Sequence, residues 1–359
     1  MKLIKTTDAA GHILCHDMTE IVPGKSKGTR FRRGQVLTSA DIPVLLDMGK
    51  EQLYVWEKQE GMLHEEEGAE ILCRLCRGVN LKAAPVREGK IELYAEISGL
   101  LKIDSKKIIA LNSIGDLAVV TIRGNQGVKE GQKIAALKII PLLIEEEKLK
   151  RAEVLAAGFL AAGASAPVVS AADAKAADAL APDPAGAKPI NIIPYKQKKA
   201  GLIITGNEIF NKRINETGSG ILKKKLELYG AECTEMVILP DDEEKISSAI
   251  TEMAEKGIGL IICTGGMSVD PDDKTVAAIK KTGAKIVSYG VPFMPGTMLL
   301  LGYYEKRGFN AAIVGAPACV FYEHVTALDI LLPRLAADDP VSREDLAALG
   351  EGGLMTITN

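Results

Sequence analysis

Two short runs, Ala200–Thr205 (AGLIIT) and Gly259–Thr264 (GLIICT), constrain the fold of this chain more than any other feature. Each is apolar at consecutive positions, so a strand made from it has to bury both faces. Strands of that kind belong to parallel sheets covered by helices on two sides. The sequence around them supplies the cover: Gly220–Tyr229 and Glu243–Lys256 carry apolar residues at helical spacing, and Gly230 closes the first. Further strands are expected at Cys233–Leu239, Lys285–Tyr289, Thr297–Gly302 and Ala311–Val314, with helices at Thr275–Thr282 and Phe321–Leu332. The result is an α/β domain on a mostly parallel sheet.

The rest of the chain follows other rules. An Ala-rich stretch punctuated by Pro167, Pro182, Pro184 and Pro189 has almost no large apolar residues, so burial cannot offset its ordering entropy. It reads as a linker over 156–190. Before it, residues 1–66 are expected as an α+β module: a turn-rich strand Gly28–Gly34, a helix opened by Ser39 or Asp41 and running to Gly49, and a strand Gln52–Trp56. Residues 67–155 are expected as a β-rich module with flanking helices Glu67–Arg77 and Leu142–Leu155, and strands Lys90–Tyr94, Ala118–Ile122 and Lys133–Leu137. The α/β domain takes 191–340, and 341–359 form a tail. At 359 residues the chain is long enough for each domain to bury a core of its own.

Composition removes several classes of function. With 44 basic and 47 acidic residues interspersed, a formal charge of -3 offers no broad cationic face to a phosphate backbone, so nucleic acid is not an expected partner. Neither the apolar core of a signal peptide in Met1–Asp17 nor a run of about 18 apolar residues is present, so no membrane association and a cytoplasmic location are expected. The six cysteines are scattered. Cys73 and Cys76 form a CxxC without a second pair, read as two half-buried helix positions, with metal or redox use as the alternative.

In open parallel sheets, ligands bind beyond the carboxyl ends of the strands. Three unusual loops fall there: Thr205-Gly206-Asn207-Glu208-Ile209, then Gly265-Gly266-Met267-Ser268-Val269-Asp270-Pro271-Asp272-Asp273, then Gly315-Ala316-Pro317-Ala318-Cys319. Their glycines let backbone N–H groups approach a ligand, and Glu208, Asp241 and Asp273 would set carboxylates around it. Plainer readings stand beside this one. Asp270 can be an N-cap with Pro271 in the first turn, and Asp241 with Glu244 resembles a capping box. Lys223-Lys224-Lys225 reads as the solvated side of a helix, with one lysine reaching a ligand phosphate as the alternative, and His324 as a surface or capping residue, with a place facing the cleft as the alternative. His12, His16 and His64 lack metal-ligand spacing.

Taken together, Thr205-Gly-Asn-Glu208, Pro240-Asp241-Asp242, Thr264-Gly-Gly-Met-Ser268 through Asp273, Met294-Pro295-Gly296 and Gly315-Ala-Pro317 resemble, in order and spacing, the molybdopterin-binding domain of molybdenum cofactor biosynthesis and competence-damage-inducible proteins. The likeness extends to the molybdopterin molybdotransferase branch through Ala10–Asp17, Gly28–Asp41 and Leu46–Gly49. The resemblance implies a doubly wound α/β domain that binds molybdopterin, or its adenylylated form, against Thr205, Gly206, Asn207, Thr264, Gly265, Gly266, Met267, Ser268, Pro295, Gly296, Gly315 and Pro317. It also implies that Glu208, Asp241 and Asp273 are the catalytic carboxylates and hold Mg²⁺.

The departures from that pattern bear on activity. Gly290, Met294 and Thr297 stand where the transferase carries lysines, so a tetrahedral oxyanion loses its cationic partners. The usual Gly-Leu-Pro-Gly-Asn-Pro loop becomes Gly315-Ala-Pro-Ala-Cys-Val320. The expected function is therefore molybdopterin binding in cofactor biosynthesis or handling. The alternatives are a divergent Mg²⁺-dependent molybdotransferase that inserts molybdate with release of AMP, and hydrolysis of ADP-ribose or a related pyrophosphate. A homo-oligomer is expected, in contact with other molybdenum cofactor biosynthesis proteins.

Overall fold

A computed structural model describes residues 2–22, 26–56, 60–163, 188–213, 215–216, 218–268, 270, 273–306 and 308–355. Most of the expected linker, at 164–187, and residues Val269, Pro271 and Asp272 of the Gly-Gly loop lie outside the described residues. The chain forms two compact units. One comprises residues 1–96, 103–122 and 131–191; the other takes 192–359 together with two excursions from the first half, 97–102 and 123–130.

The second unit holds the expected α/β architecture. Its six strands are β1 (Lys198–Thr205), β2 (Ala231–Leu239), β3 (Leu260–Thr264), β4 (Lys285–Tyr289), β5 (Leu300–Lys306) and β6 (Phe309–Ala316), in the order β2-β1-β3-β6-β5-β4. The first four in that order are parallel, and β5 and β4 complete the sheet antiparallel. Both faces are apolar, as consecutive apolar positions require. Leu202, Ile262, Leu301 and Val314 face one way, onto helices α2 (Ser219–Glu227) and α5 (Ala327–Ala336) through Leu222, Leu226, Leu328 and Leu331. Ile203, Ile261, Leu300 and Ile313 face the other way, onto α3 (Glu243–Glu255) and α4 (Thr275–Lys281) through Ile246, Ile250, Ala278 and Ile279. The sheet is doubly wound. Short helices α1 (Asn207–Phe210) and α6 (Arg343–Ala347) complete the unit.

Two elements depart from expectation. The strand expected at Thr297–Gly302 begins at Leu300, because Thr297 is held in the preceding loop, where its hydroxyl donates to the Phe293 carbonyl (3.1 Å). The helix expected over Phe321–Leu332 is interrupted. A short 3-10 turn covers Ala318–Phe321, and α5 starts afresh at Ala327, where Thr326 and Asp329 form a capping box.

The first unit carries the remaining modules. Residues 2–56 pair Lys2–Lys5 with Gln52–Val55 and close over Leu14, Phe31, Leu37, Leu45 and Leu53. The β-rich part is a four-stranded antiparallel sheet in the order Leu81–Ala83, Lys90–Ala95, Lys133–Ile139, Leu117–Thr121. The helix expected to run over Leu142–Leu155 starts at Glu146, after a short strand Leu143–Glu145, and continues to Gly163, into the segment expected as linker. Its Ala content makes that extension inexpensive.

Cys73 and Cys76 are buried in the helix Glu65–Cys76 rather than half-buried, at 7% and 0% exposure, and burial pushes the Cys76 thiol up to about 12. A thiol so far from ionisation is inert at neutral pH.

That helix is capped by an imidazole. His64 Nδ1 accepts from the Glu66 N–H (3.3 Å), which leaves the ring proton on Nε2 to donate to the Cys15 carbonyl (2.9 Å). Protonation would fill the accepting nitrogen. Burial first, then the Arg33 charge, holds the His64 pKa below its ordinary value. The stability due to the cap is therefore complete above the ordinary imidazole value of about 6.5, and is lost as pH falls from there through the depressed folded value. The unfolding midpoint should drop over that window. His64→Asn, which caps without titrating, should flatten the drop in a urea titration repeated at each pH; an unchanged slope would refute the assignment.

Candidate functional site

Register brings the carboxyl ends of the parallel strands to one edge. Thr205 lies beside Leu239, Ile204 beside Thr264, and Thr264 beside Ala316, so the loops that follow β1, β2, β3 and β6 leave the sheet together. This is where the sequence motifs fall.

The loop after β1 is tied to the loop after β2 by a reciprocal clasp. The Asn207 N–H donates to Asp241 Oδ2 (2.9 Å), and the Asp241 N–H donates to Asn207 Oδ1 (3.3 Å). Asp241 is thus not the capping residue of α3. Its neighbour Asp242 caps the helix, accepting from the Glu244 and Lys245 N–H groups at 3.0 and 3.1 Å. Those backbone bonds, chiefly the one from Lys245, outweigh burial and hold the Asp242 carboxyl below its ordinary range. Two adjacent carboxylates divide two tasks, and the expected Asp241–Glu244 box does not form.

Thr205 is buried, with its hydroxyl 3.1 Å from that of Thr275 at the start of α4. Gly206 is buried at φ +144, and a Cβ there would stand 2.8 Å from Glu208 Oε1. Asn207 and Glu208 themselves are exposed.

The Gly265–Asp273 loop is anchored differently from expectation. Gly265 and Gly266 are left-handed, and a Cβ at Gly265 would meet the Thr205 carbonyl oxygen at 2.2 Å. Met267 is not offered to a ligand: its side chain is 5% exposed and packs in the core. It occupies the notch left by Gly315, whose own Cβ would lie 2.4 Å from Met267 Cε. Gly315 accordingly belongs to the buried interior of β6 rather than to a ligand loop. Ser268 is exposed, and its N–H donates to Asp273 Oδ2 (2.7 Å). Helix α4 begins at Thr275, after Lys274, so Asp270 does not cap it.

Tyr289, at the end of β4, escaped sequence reasoning. Its hydroxyl lies 3.0 Å from the Met267 carbonyl and 3.3 Å from that of Ser268. Burial, then the negative charge of Asp273, raises its pKa, so the phenol keeps its proton. An aromatic residue at a strand end carries no local mark of such a contact.

In the Pro-Gly loop the Met294–Pro295 bond is cis, and Gly296 is buried against α5, where a Cβ would lie 2.8 Å from the Ala327 nitrogen. Pro317 precedes the 3-10 turn and is half-buried. Lys225 is not solvated: it pairs with Asp329 at 2.6 Å, with the ammonium side chain 11% exposed. His324 is exposed and lies in the loop before α5.

Chemically, the edge offers hydrogen-bonding groups around glycine backbone. The Thr264 hydroxyl is buried without a hydrogen-bond partner, a polar remainder of the kind that ligand-binding edges leave. Among the described residues no three His, Cys, Asp or Glu side chains stand close enough to hold an ion, so Glu208, Asp241 and Asp273 do not converge. A cavity of 790 Å³ lies at the opposite, amino-terminal edge, where Lys196 and Lys198 are both engaged by Asp338.

Residues 201–337 match the family model described as "Probable molybdopterin binding domain", and residues 3–57 match a model for a domain of unknown function. The molybdopterin molybdenumtransferase of Synechococcus elongatus is 28% identical over 146 residues, 38% of this chain and 36% of that protein. A CinA-like protein of Mycobacterium tuberculosis is 34% identical over 84 residues, 23% of this chain and 19% of that protein. The chain thus aligns with about a third or less of the length of these relatives. Among solved structures, the tungsten cofactor synthesizing protein MoaB from Pyrococcus furiosus is 16% identical, with 40% of this chain and 89% of that one covered, at a TM-score of 0.30. Residues 201–337 thus match the molybdopterin-binding domain family and show moderate homology to molybdopterin molybdenumtransferases.

Proposed function

We propose that the chain binds molybdopterin at the carboxyl edge of the β1–β3–β6 strands and holds or delivers it without inserting molybdate. The observation that carries this reading is how the carboxylates are used: Asp241 and Asp273 each accept a backbone N–H of the site's own loops, and no three-carboxylate metal cluster forms among the described residues. A second observation points the same way. No Lys or Arg occurs between Lys285 and Lys306, so the Pro-Gly loop brings no charge to neutralise molybdate. Thr205, Gly206, Asn207, Thr264, Gly265, Gly266, Ser268, Pro295, Gly296 and Pro317 are the groups proposed to meet the ligand.

The proposal takes the protein to act in the cytoplasm, as a homo-oligomer that hands the cofactor to other biosynthesis proteins. Among the described residues no helix is long and apolar enough to cross a membrane.

Divergent molybdotransferase activity is the second reading. It is favoured by the likeness to the transferase and by the survival of Glu208, Asp241 and Asp273. Mg²⁺ would then need ligand phosphate oxygens to complete its coordination.

Calorimetric titration with molybdopterin, run beside an assay for AMP release from adenylylated molybdopterin with Mg²⁺ and molybdate, separates the two. Binding with no AMP release, and no more than a severalfold loss of affinity in Asp273→Asn, is the expected result. AMP release that Asp273→Asn abolishes would replace the binding reading with the transferase one.

A further inference from the structure

We propose that Tyr289 is a positioning residue of this site: its hydroxyl latches the Gly265–Asp273 loop to the end of β4 and so sets the loop in its ligand-binding form. The inference rests on the proposed binding function and goes beyond it by assigning the loop a support outside its own sequence. Among the described residues, three contacts of the loop bear on its position. Met267 pegs its start into the core, and Asp273 closes its far side onto the Ser268 N–H (2.7 Å). Between them the Met267 and Ser268 carbonyls both turn toward Tyr289 Oη, at 3.0 and 3.3 Å. One phenol carries one proton, so the two carbonyls share a single donor, and that donor sits on a strand rather than on the loop.

The same residue also begins the Pro-Gly loop. Directly after it, the Gly290 N–H donates to the Leu299 carbonyl (2.9 Å) and the Val291 N–H to that of Thr297 (2.8 Å), which closes the turn that carries Met294, Pro295 and Gly296. The main chain of Tyr289 therefore sets out one ligand loop while its side chain holds the other. Losing the hydroxyl frees the Gly-Gly loop relative to the Pro-Gly loop and leaves both folded. The ring stays available to pack in a phenylalanine variant, so the two roles of the residue can be parted.

The test compares the full-length protein with Tyr289→Phe by molybdopterin calorimetry and by amide hydrogen exchange. The expected result is exchange about tenfold faster at residues 266–270, unchanged exchange in the core strands, and a molybdopterin Kd raised about tenfold. Loop exchange equal to the wild type overturns the latch. Faster exchange with an unaltered Kd overturns the positioning role, because the loop would then be held for a reason unrelated to the ligand. If the wild-type protein binds no molybdopterin, the proposed function fails, and the exchange comparison still decides the latch by itself.

Discussion

Gly265→Ala is expected to destabilise the α/β unit by roughly 2–4 kcal/mol, seen as a fall of several degrees in its unfolding midpoint. Two penalties combine. A left-handed φ of +90 costs a side-chain-bearing residue about 1 kcal/mol or more. The new Cβ would in addition stand 2.2 Å from the Thr205 carbonyl oxygen and 2.7 Å from its hydroxyl. Neither atom can move aside cheaply, since Thr205 ends a strand paired on both sides and its hydroxyl is engaged with Thr275. Gly257→Ala is the control: its φ is +79 with no atom within 4 Å of the added Cβ, so it pays for conformation only. Calorimetric scans of both variants should show Gly265→Ala as the more damaging by about 1–3 kcal/mol. Equal shifts would mean that the close approach of the two loops is wrong.

Replacing Arg334 should cost about as much, for an electrostatic reason. Its side chain is 7% exposed in the last turn of α5, where Nε pairs with Asp339, Nη1 lies 3.2 Å from Asp345, and Nη2 donates to the Pro340 carbonyl (2.7 Å). Asp339 has a second partner in Lys102 at 3.0 Å, whereas among the described residues Asp345 pairs with no other cation. Arg334→Met therefore takes the cation from Asp345, which is 35% exposed and so partly screened, and leaves the Pro340 carbonyl without its donor; the cost is expected to be about 2 kcal/mol. The pH dependence follows from Asp345. Burial pushes its carboxyl up, but the Ser342 N–H and the Arg334 charge together outweigh burial and hold it below its ordinary range. Its contribution is complete above the ordinary aspartate value of about 3.9 and is lost as pH falls below it. In Arg334→Met one of the influences that outweigh burial is gone, the folded and unfolded values lie closer together, and this acid loss should shrink. The double variant with Asp345→Asn should recover part of the stability, as a double-mutant cycle would show; strict additivity would sink the account.

The layers of the α/β unit were readable because consecutive apolar residues in β1 and β3 admit few folds. Their alternate side chains enter the two cores, as at Leu202 and Ile203. The site was readable as a set of loops, but less so as a set of roles. Met267 sits within a loop motif, and only the notch at Gly315 in a distant strand reveals it as a core residue. Asp241 and Asp242 are chemically equal neighbours, and which one caps α3 depends on where the helix begins relative to Asn207. Tyr289 could not be found from spacing, because its partners lie 22 and 21 residues away in the chain. For Met267 and the two aspartates local chemistry named the residue, for Tyr289 it did not, and in each case a contact between distant parts of the chain assigned the task.

The carboxylates of Asp241 and Asp273 occupy the Asn207 and Ser268 N–H groups, donors of the kind a phosphate seeks at strand ends. They act as tethered competitors. An anionic ligand that reaches for either donor has to displace a group already at hand, at the high effective concentration that a short tether provides. Net affinity then measures the difference between two anions for one donor. A ligand that engages the neighbouring glycine N–H groups and hydroxyls, and leaves the clasp closed, meets no such rival. On the proposed binding reading, the edge favours a ligand whose charge falls away from these two donors.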